Sequence, residues 1–324
     1  MKRIVFVIPI ILFIGNLHSQ SQNIETKVSA SKRSPELFLP GIVSTGLNEF
    51  GCTLTPTQDE LYYCIRHRSD LFVILTSIFS NGSWSNPKVA NFSGFYNDAD
   101  PFISEDGKYL YFCSDRPIND EDTLRDWNIW RLERVGKSWG NIKLLEFNTP
   151  NKNEMYPTVS LNGNVYFHSD LLSPNKFVDF NRTDLYYSIN NNGNYSGYEK
   201  LPICSNDFPE WDPFISPNED YLIFTTTIPG GFGGGDMYIS FRSINGNWSK
   251  PLNMGSEVNS NGMDYCPNLT PDKKHIIFSS YRYNLDFTET PLSYEKIIEI
   301  LNRPQNGNGD VYTIDSSLII KLKQ

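Results

Sequence analysis

Histidine is scarce in this 324-residue chain, with four copies, and no two are spaced His-x-x-x-His, so the helical zinc signature is absent. The one Gly-x-Ser-x-Gly match, Gly136-Lys-Ser138-Trp-Gly140, falls in an aromatic turn that opens a strand and not in a strand-to-helix elbow, so it does not present a serine nucleophile. Cysteines number five (Cys52, Cys64, Cys113, Cys204 and Cys266), and none stands as Cys-x-x-Cys. Basic residues are outnumbered, 28 Lys and Arg against 37 Asp and Glu, for a net charge of −9. An acidic surface repels phosphate backbones, which argues against a nucleic-acid partner. Past the first twenty residues no stretch is apolar enough to cross a bilayer.

What is present begins with a basic start, Lys2 and Arg3, an uncharged apolar run from Ile4 to Gly15, and a polar stretch from Gln20. That layout is a secretory signal over residues 1–19. No Cys follows the run, so a lipoprotein anchor is not expected, and the chain is expected to be periplasmic or secreted, and monomeric. A flexible segment over 20–35 then leads into a single domain over 36–324. Hydrophobic residues at 39% argue against a disordered chain, and 18 Tyr with 21 Phe favour strands.

One unit recurs five times, starting near 49, 98, 154, 210 and 264. Its clearest copy runs Asp98-Ala-Asp-Pro101-Phe-Ile-Ser104-Glu-Asp-Gly-Lys-Tyr-Leu-Tyr-Phe112, with parallels from Glu210 to Phe224 and from Asp264 to Phe278. Glu154 to Ser160 and Glu49 to Thr55 open more divergent copies. Each copy reads as two strands around a polar turn. A third strand follows near Asp70, Trp127, Asp184, Asp236 or Asp310, and an aromatic turn such as Gly82-Ser-Trp84 or Gly246-Asn-Trp248 opens a fourth. Four strands in roughly fifty residues is the signature of a propeller blade. The expected fold is therefore all-β, a five-bladed β-propeller of four-stranded antiparallel blades. The last copy lacks its fourth strand, and Leu39 to Thr45 is expected to supply it, closing the last blade with the N-terminal strand. That closure would set Cys52 beside Cys266. They would either bridge or be small buried hydrophobes.

The Asp-x-x-Pro-x-x-Ser-x-Asp-Gly-Lys unit resembles the WD-repeat-like repeats of TolB-like β-propellers, over roughly Leu37 to Asp315. The resemblance implies a binding platform. The family's namesake has six blades and an extra N-terminal domain, for which this sequence shows no sixth copy and no room.

Up-and-down connectivity brings the turn before the first strand and the loop between the second and third strands to one face. Glu49, Asp98, Glu154, Glu210 and Asp264 precede the innermost strands there, and Asp100 and Asp212 add two carboxylates. They would either ring the channel mouth, where Ca²⁺ fits, or each cap its own turn or pair with a nearby Arg. The variable loops offer Arg116, Trp127, Trp211, Phe232, Tyr281 and Arg282 as anchors, or as packing between blades. The loop Gly230 to Gly235 lacks the Gly-Lys-Ser/Thr ending of a phosphate cradle and reads as a flexible hairpin loop. Ser293 to Leu301 has apolar residues at helical spacing and is expected to pack on the propeller. Two functions fit. One is a non-catalytic scaffold that recognises a protein, peptide or glycan through its loop face. The other is a carbohydrate-active enzyme, of glycoside hydrolase or lyase type, that uses carboxylates at the channel mouth with Arg116 or Arg282 gripping an acidic sugar.

Overall fold

The computed structural model describes residues 34–67, 71–170, 182–283 and 291–323. The expected export signal over 1–19, most of the 20–35 segment, Asp70 and parts of the loops after Asp170 and Tyr281 lie outside these residues. No helix among the described residues is long and apolar enough to cross a membrane.

Each copy of the repeat forms one antiparallel sheet, and the five sheets make a five-bladed propeller. The innermost strands are Glu49–Leu54, Asp98–Ile103, Glu154–Val159, Glu210–Ile215 and Asp264–Leu269. The second strands are Glu60–His67, Tyr109–Ser114, Val165–Ser169, Tyr221–Thr226 and His275–Ser280, and the third are Leu71–Ser80, Asn128–Val135, Asp184–Ser188, Asp236–Phe241 and Asp310–Asp315. Outer strands are short except in blade two, where Ser138–Leu144 includes Trp139. In blade one the aromatic turn makes a small hairpin, Ser83–Trp84, before Lys88–Val89 resumes the edge.

The N-terminal strand does complete blade five, three residues earlier than expected. Glu36–Leu37 pairs antiparallel with the third strand there, Leu37 opposite Tyr312, and Phe38 donates its N–H to Val311. Leu39 to Val43 instead forms a turn, with Ile42 and Val43 both donating to the Leu39 carbonyl. Pro40 has no N–H to give a ladder, and Gly41 takes φ +83, which only glycine adopts readily. Gly255 repeats this at φ +82 after the strand Leu252–Asn253.

Each blade buries at least one aromatic from its second strand within the core. Tyr63, Phe112, Phe167, Phe224 and Phe278 are each among the largest fully buried side chains. The repeat's Ser or Thr closes the turn beyond. Ser216 Oγ accepts the Asp220 and Tyr221 N–H groups and donates to the Asp220 carboxylate at 2.6 Å, whereas Ser104 and Thr270 donate to Asp106 and Asp272 at 2.7 Å and accept the Tyr109 and His275 N–H groups. Helix α1 (Tyr294–Leu301) starts as expected, with Ser293 capping Lys296 N–H. It departs from expectation in packing: only Ile300 is buried, and Tyr294, Ile297, Ile298 and Leu301 face outward. Helix α2 (Ser317–Lys323) sends Leu318 and Ile319 into the core. All five cysteines are unpaired, so the Cys52–Cys266 bridge does not form. Cys64, Cys113 and Cys266 instead pack within one buried cluster.

Candidate functional site

Pairing between first and second strands slips at the same place in every blade. Between Phe50 and Thr53, Ala99 and Phe102, Met155 and Thr158, Trp211 and Phe214, and Tyr265 and Asn268, two residues oppose one. The first bulged residue always has a left-handed backbone: Gly51 (φ 57), Asp100 (54), Tyr156 (55), Asp212 (53) and Cys266 (52). The second is proline in four blades and Cys52 in the first. A bulged residue owes no ladder bond, so proline's missing N–H costs nothing there. That is the physical content of the Asp-x-x-Pro unit.

The bulge brings these five positions together at the ring axis and stitches neighbouring blades. Gly51 N–H donates to Ser279 Oγ at 3.0 Å, Asp100 N–H to Cys64 Sγ at 3.2 Å, Asp212 N–H to His168 Nδ1 at 3.2 Å, and Cys266 N–H to Asp212 Oδ2 at 3.1 Å. Tyr156 reaches across the axis from blade three to blade five, its hydroxyl donating to the Pro267 carbonyl at 2.7 Å. Asp100 and Asp212 flank it, accepting from the thiols of Cys113 and Cys266 at 3.2 and 3.4 Å. Among the described residues no Lys or Arg pairs with either carboxylate. Burial pushes the Asp100 carboxyl up to about 6. Burial, and then the charge of Asp100, push Asp212 well above the usual carboxylate range. Burial also holds His168 down to about 3, so it is neutral beside Asp212. Tyr156, Cys64, Cys113 and His168 were not singled out by the sequence. The available signal was that one slot in an otherwise regular unit changes identity from blade to blade.

The five carboxylates that open the innermost strands are buried, and each is engaged locally. Glu49 accepts from Thr45, Glu154 from Thr149 N–H at 3.2 Å and Glu210 from Ser205 N–H at 2.7 Å. Asp98 holds Arg116 at 2.6 Å and Ser114 at 2.7 Å, and Asp264 holds Arg282 at 2.6 Å with Ser280 and Ser260. Burial pushes Glu49 up to about 7, Glu210 up to about 8 and Glu154 well above the usual range. A Ca²⁺ ion takes six to eight oxygen ligands. Each of these carboxylates commits at least one oxygen to its own turn or to an Arg, and among the described residues no three of them bring donor atoms within 4.8 Å of one another.

The proposed anchors divide. Arg116 lies over Phe112 at 4.8 Å and Arg282 over Tyr312 at 4.7 Å, so both are braces within their blades. Trp127 and Trp211 are buried, Trp127 against Phe72 at 5.3 Å. Trp127, Phe72, Phe50, Tyr265 and Tyr281 form a continuous aromatic arc of ring contacts, ending in the half-buried Tyr281 stacked on Tyr265 at 5.4 Å. Phe232 is the exposed anchor, at 49%. Its loop is not the free hairpin that its glycines suggest. Phe232 and Gly233 donate their N–H groups to the Asp236 carboxylate at 2.7 and 3.1 Å, and Gly234 donates to the Gly262 carbonyl. A Cβ on Gly233 would lie 1.8 Å from the Gly262 carbonyl oxygen. Gly233→Ala is therefore expected to displace the loop and cost about 1–3 kcal/mol in urea unfolding. A change within about 0.5 kcal/mol would show that the loop does not rest on this turn.

At the opposite end of the axis a cavity of about 120 Å³ is lined by residues of all five blades, among them Thr53, Phe102, Val159, Phe214 and Asn268. None of the residues chosen from sequence reaches it.

No family model and no curated protein matches the chain. A solved α-L-arabinofuranosidase from Lactobacillus brevis is similar in fold, with a TM-score of 0.50 at 13% identity, over 85% of this chain and 92% of that one. A TolB structure from Acinetobacter baumannii aligns at a TM-score of 0.45 and 14% identity, over 83% of this chain and 54% of that one. A putative TolB from Agrobacterium tumefaciens aligns at 0.46 and 15%, over 83% and 90%. The likeness is one of fold.

Proposed function

We propose that the protein is an exported, non-catalytic propeller that binds a protein, peptide or glycan through the face bearing the loops between second and third strands. The observation that carries this is the state of the ring axis on that side. Tyr156 spans it, and the carboxylates at its mouth are committed to their own turns and to Arg116 and Arg282. Among the described residues, a ligand there meets a surface whose axis is spanned by Tyr156. Phe232, on an anchored loop, and Tyr281, at the end of the aromatic arc, supply rigid contact area that loses little entropy on binding. Export rests on the basic start and apolar run of the first nineteen residues.

The test is a panel of peptides and oligosaccharides scored for binding and turnover. Binding without turnover is expected, and Phe232→Ala should weaken it by at least about tenfold, with the melting temperature unchanged. Turnover of any panel member would defeat the reading.

A second reading, a glycoside hydrolase, is favoured by Asp100 and Asp212, two buried carboxylates with raised pKa values and no cationic partner among the described residues. It requires hydrolysis of an aryl glycoside that both Asp100→Asn and Asp212→Asn abolish.

A further inference from the structure

The turn that joins each fourth strand to the next blade puts one polar side chain beneath the preceding third strand, where it accepts a backbone N–H. Ser44 Oγ takes Val311 N–H at 3.2 Å, Ser93 Oγ takes Ile74 at 3.1 Å, Asn148 Oδ1 takes Ile129 at 2.8 Å and Asn259 Oδ1 takes Met237 at 2.9 Å. At the joint of blades three and four the same task falls to Cys204 Sγ, which takes Leu185 N–H at 3.3 Å. Sulfur is a weaker acceptor than oxygen, so this thiol serves the joint less well than its four counterparts. What it offers that they lack is affinity for borderline and soft metal ions.

Its neighbours complete a ligand set. Asp184 begins the third strand of blade three, and Glu210 begins the first strand of blade four. One donor atom from each of Asp184, Cys204 and Glu210 lies within 4.8 Å of the others, and no other such group of three occurs among the described residues. Glu210 is 1% exposed. Its Oε1 accepts from Ser205 N–H, while Oε2 is buried with no hydrogen-bond partner among the described residues. At the preceding joint Glu154 Oε2 is likewise unmatched, but there Asn128 and Asn148 stand in place of Asp184 and Cys204, which leaves one carboxylate and no sulfur.

We propose that Asp184, Cys204 and Glu210 form a Zn²⁺ site at the joint of blades three and four. Two oxygens and a sulfur at about 2.0–2.3 Å suit zinc and leave a fourth position for water. Lys200 Nζ, 2.7 Å from Asp184 Oδ1, holds part of the place meanwhile, and its side chain is 39% exposed and free to swing out as the ion enters. Binding replaces protons on the thiol and on the Glu210 carboxyl, so affinity rises with pH.

The test is titration of the full chain with Zn²⁺ alone by calorimetry, paired with Co²⁺ spectroscopy. One ion per chain at micromolar affinity or tighter, with a thiolate-to-cobalt band in the near ultraviolet, is expected. Cys204→Ser keeps the joint's hydrogen bond, as Ser44 and Ser93 do, and should weaken binding by at least about tenfold and erase the band. Glu210→Gln should weaken it similarly, and Lys200→Ala should tighten it. These last two decide the matter if Cys204→Ser does not fold. No saturable binding up to millimolar Zn²⁺, a Co²⁺ spectrum without the thiolate band, or binding unchanged in Cys204→Ser and Glu210→Gln would overturn the assignment.

Discussion

Arg282→Met is expected to lower the unfolding free energy by about 3–5 kcal/mol, because it leaves a buried carboxylate without its cation. Asp264 is wholly buried, and its Oδ1 is shared by Arg282 and Ser280. Arg282 also ties down the Val258 carbonyl and lies over Phe278 and Tyr312, so packing is lost with the charge. Arg116→Met should act alike through Asp98, whose side chain is also 0% exposed. In a domain of this size such a loss lowers the melting temperature by roughly 10 °C. The double variant Asp264→Asn with Arg282→Met should recover part of it, since no charge is then stranded. Calorimetry of the four proteins checks this. An unchanged melting temperature in both arginine variants would show that these guanidinium groups do not brace their blades.

Stability is expected to fall as pH rises from about 5 to 8.5. Glu49, Asp100, Glu210 and Asp310 have folded-state values near 7, 6, 8 and 6, all raised chiefly by burial. Their unfolded values lie near 4, so the fold favours the protonated form. That contribution is complete below the unfolded values and is lost as pH climbs through the folded ones. His168 acts with opposite sign: its folded value near 3 costs stability only as pH drops below about 6.5. The carboxyls outnumber it, so the net slope above pH 5 is downward. One pKa unit corresponds to about 1.4 kcal/mol, and even a third of the summed displacement amounts to several kcal/mol. Urea unfolding at pH 5, 6, 7 and 8.5 measures the slope, and Glu210→Gln should flatten it. A level profile would show that these carboxyls are hydrated in solution.

The acid-to-Arg brace was legible in advance. Asp98, Ser114 and Arg116 have the same spacing as Asp264, Ser280 and Arg282, which marks two blades sharing one structural device. The capping of Glu49, Glu154 and Glu210 was legible as an alternative, since an acidic residue at every joint serves the joint first. The aromatic anchors were not sortable from sequence. Trp211 and Phe232 both look like rim residues, yet one is 5% exposed and the other 49%. Which of them faces water depends on how the Gly230 to Gly235 loop folds onto Ser260 to Gly262, a contact between distant segments.

The repeat by itself determined the blades, their number, their order and the N-terminal closure, because strand period, turn residues and the Asp-x-x-Pro bulge are local properties copied five times. Only the tertiary structure decided what meets at the axis and at the joints. Gly51, Asp100, Tyr156, Asp212 and Cys266 stand some fifty residues apart and become neighbours only when the ring closes. Asp184, Cys204 and Glu210 converge because two blades abut there. Burial and charge at such meeting points are sums over several segments, and a linear pattern does not contain them.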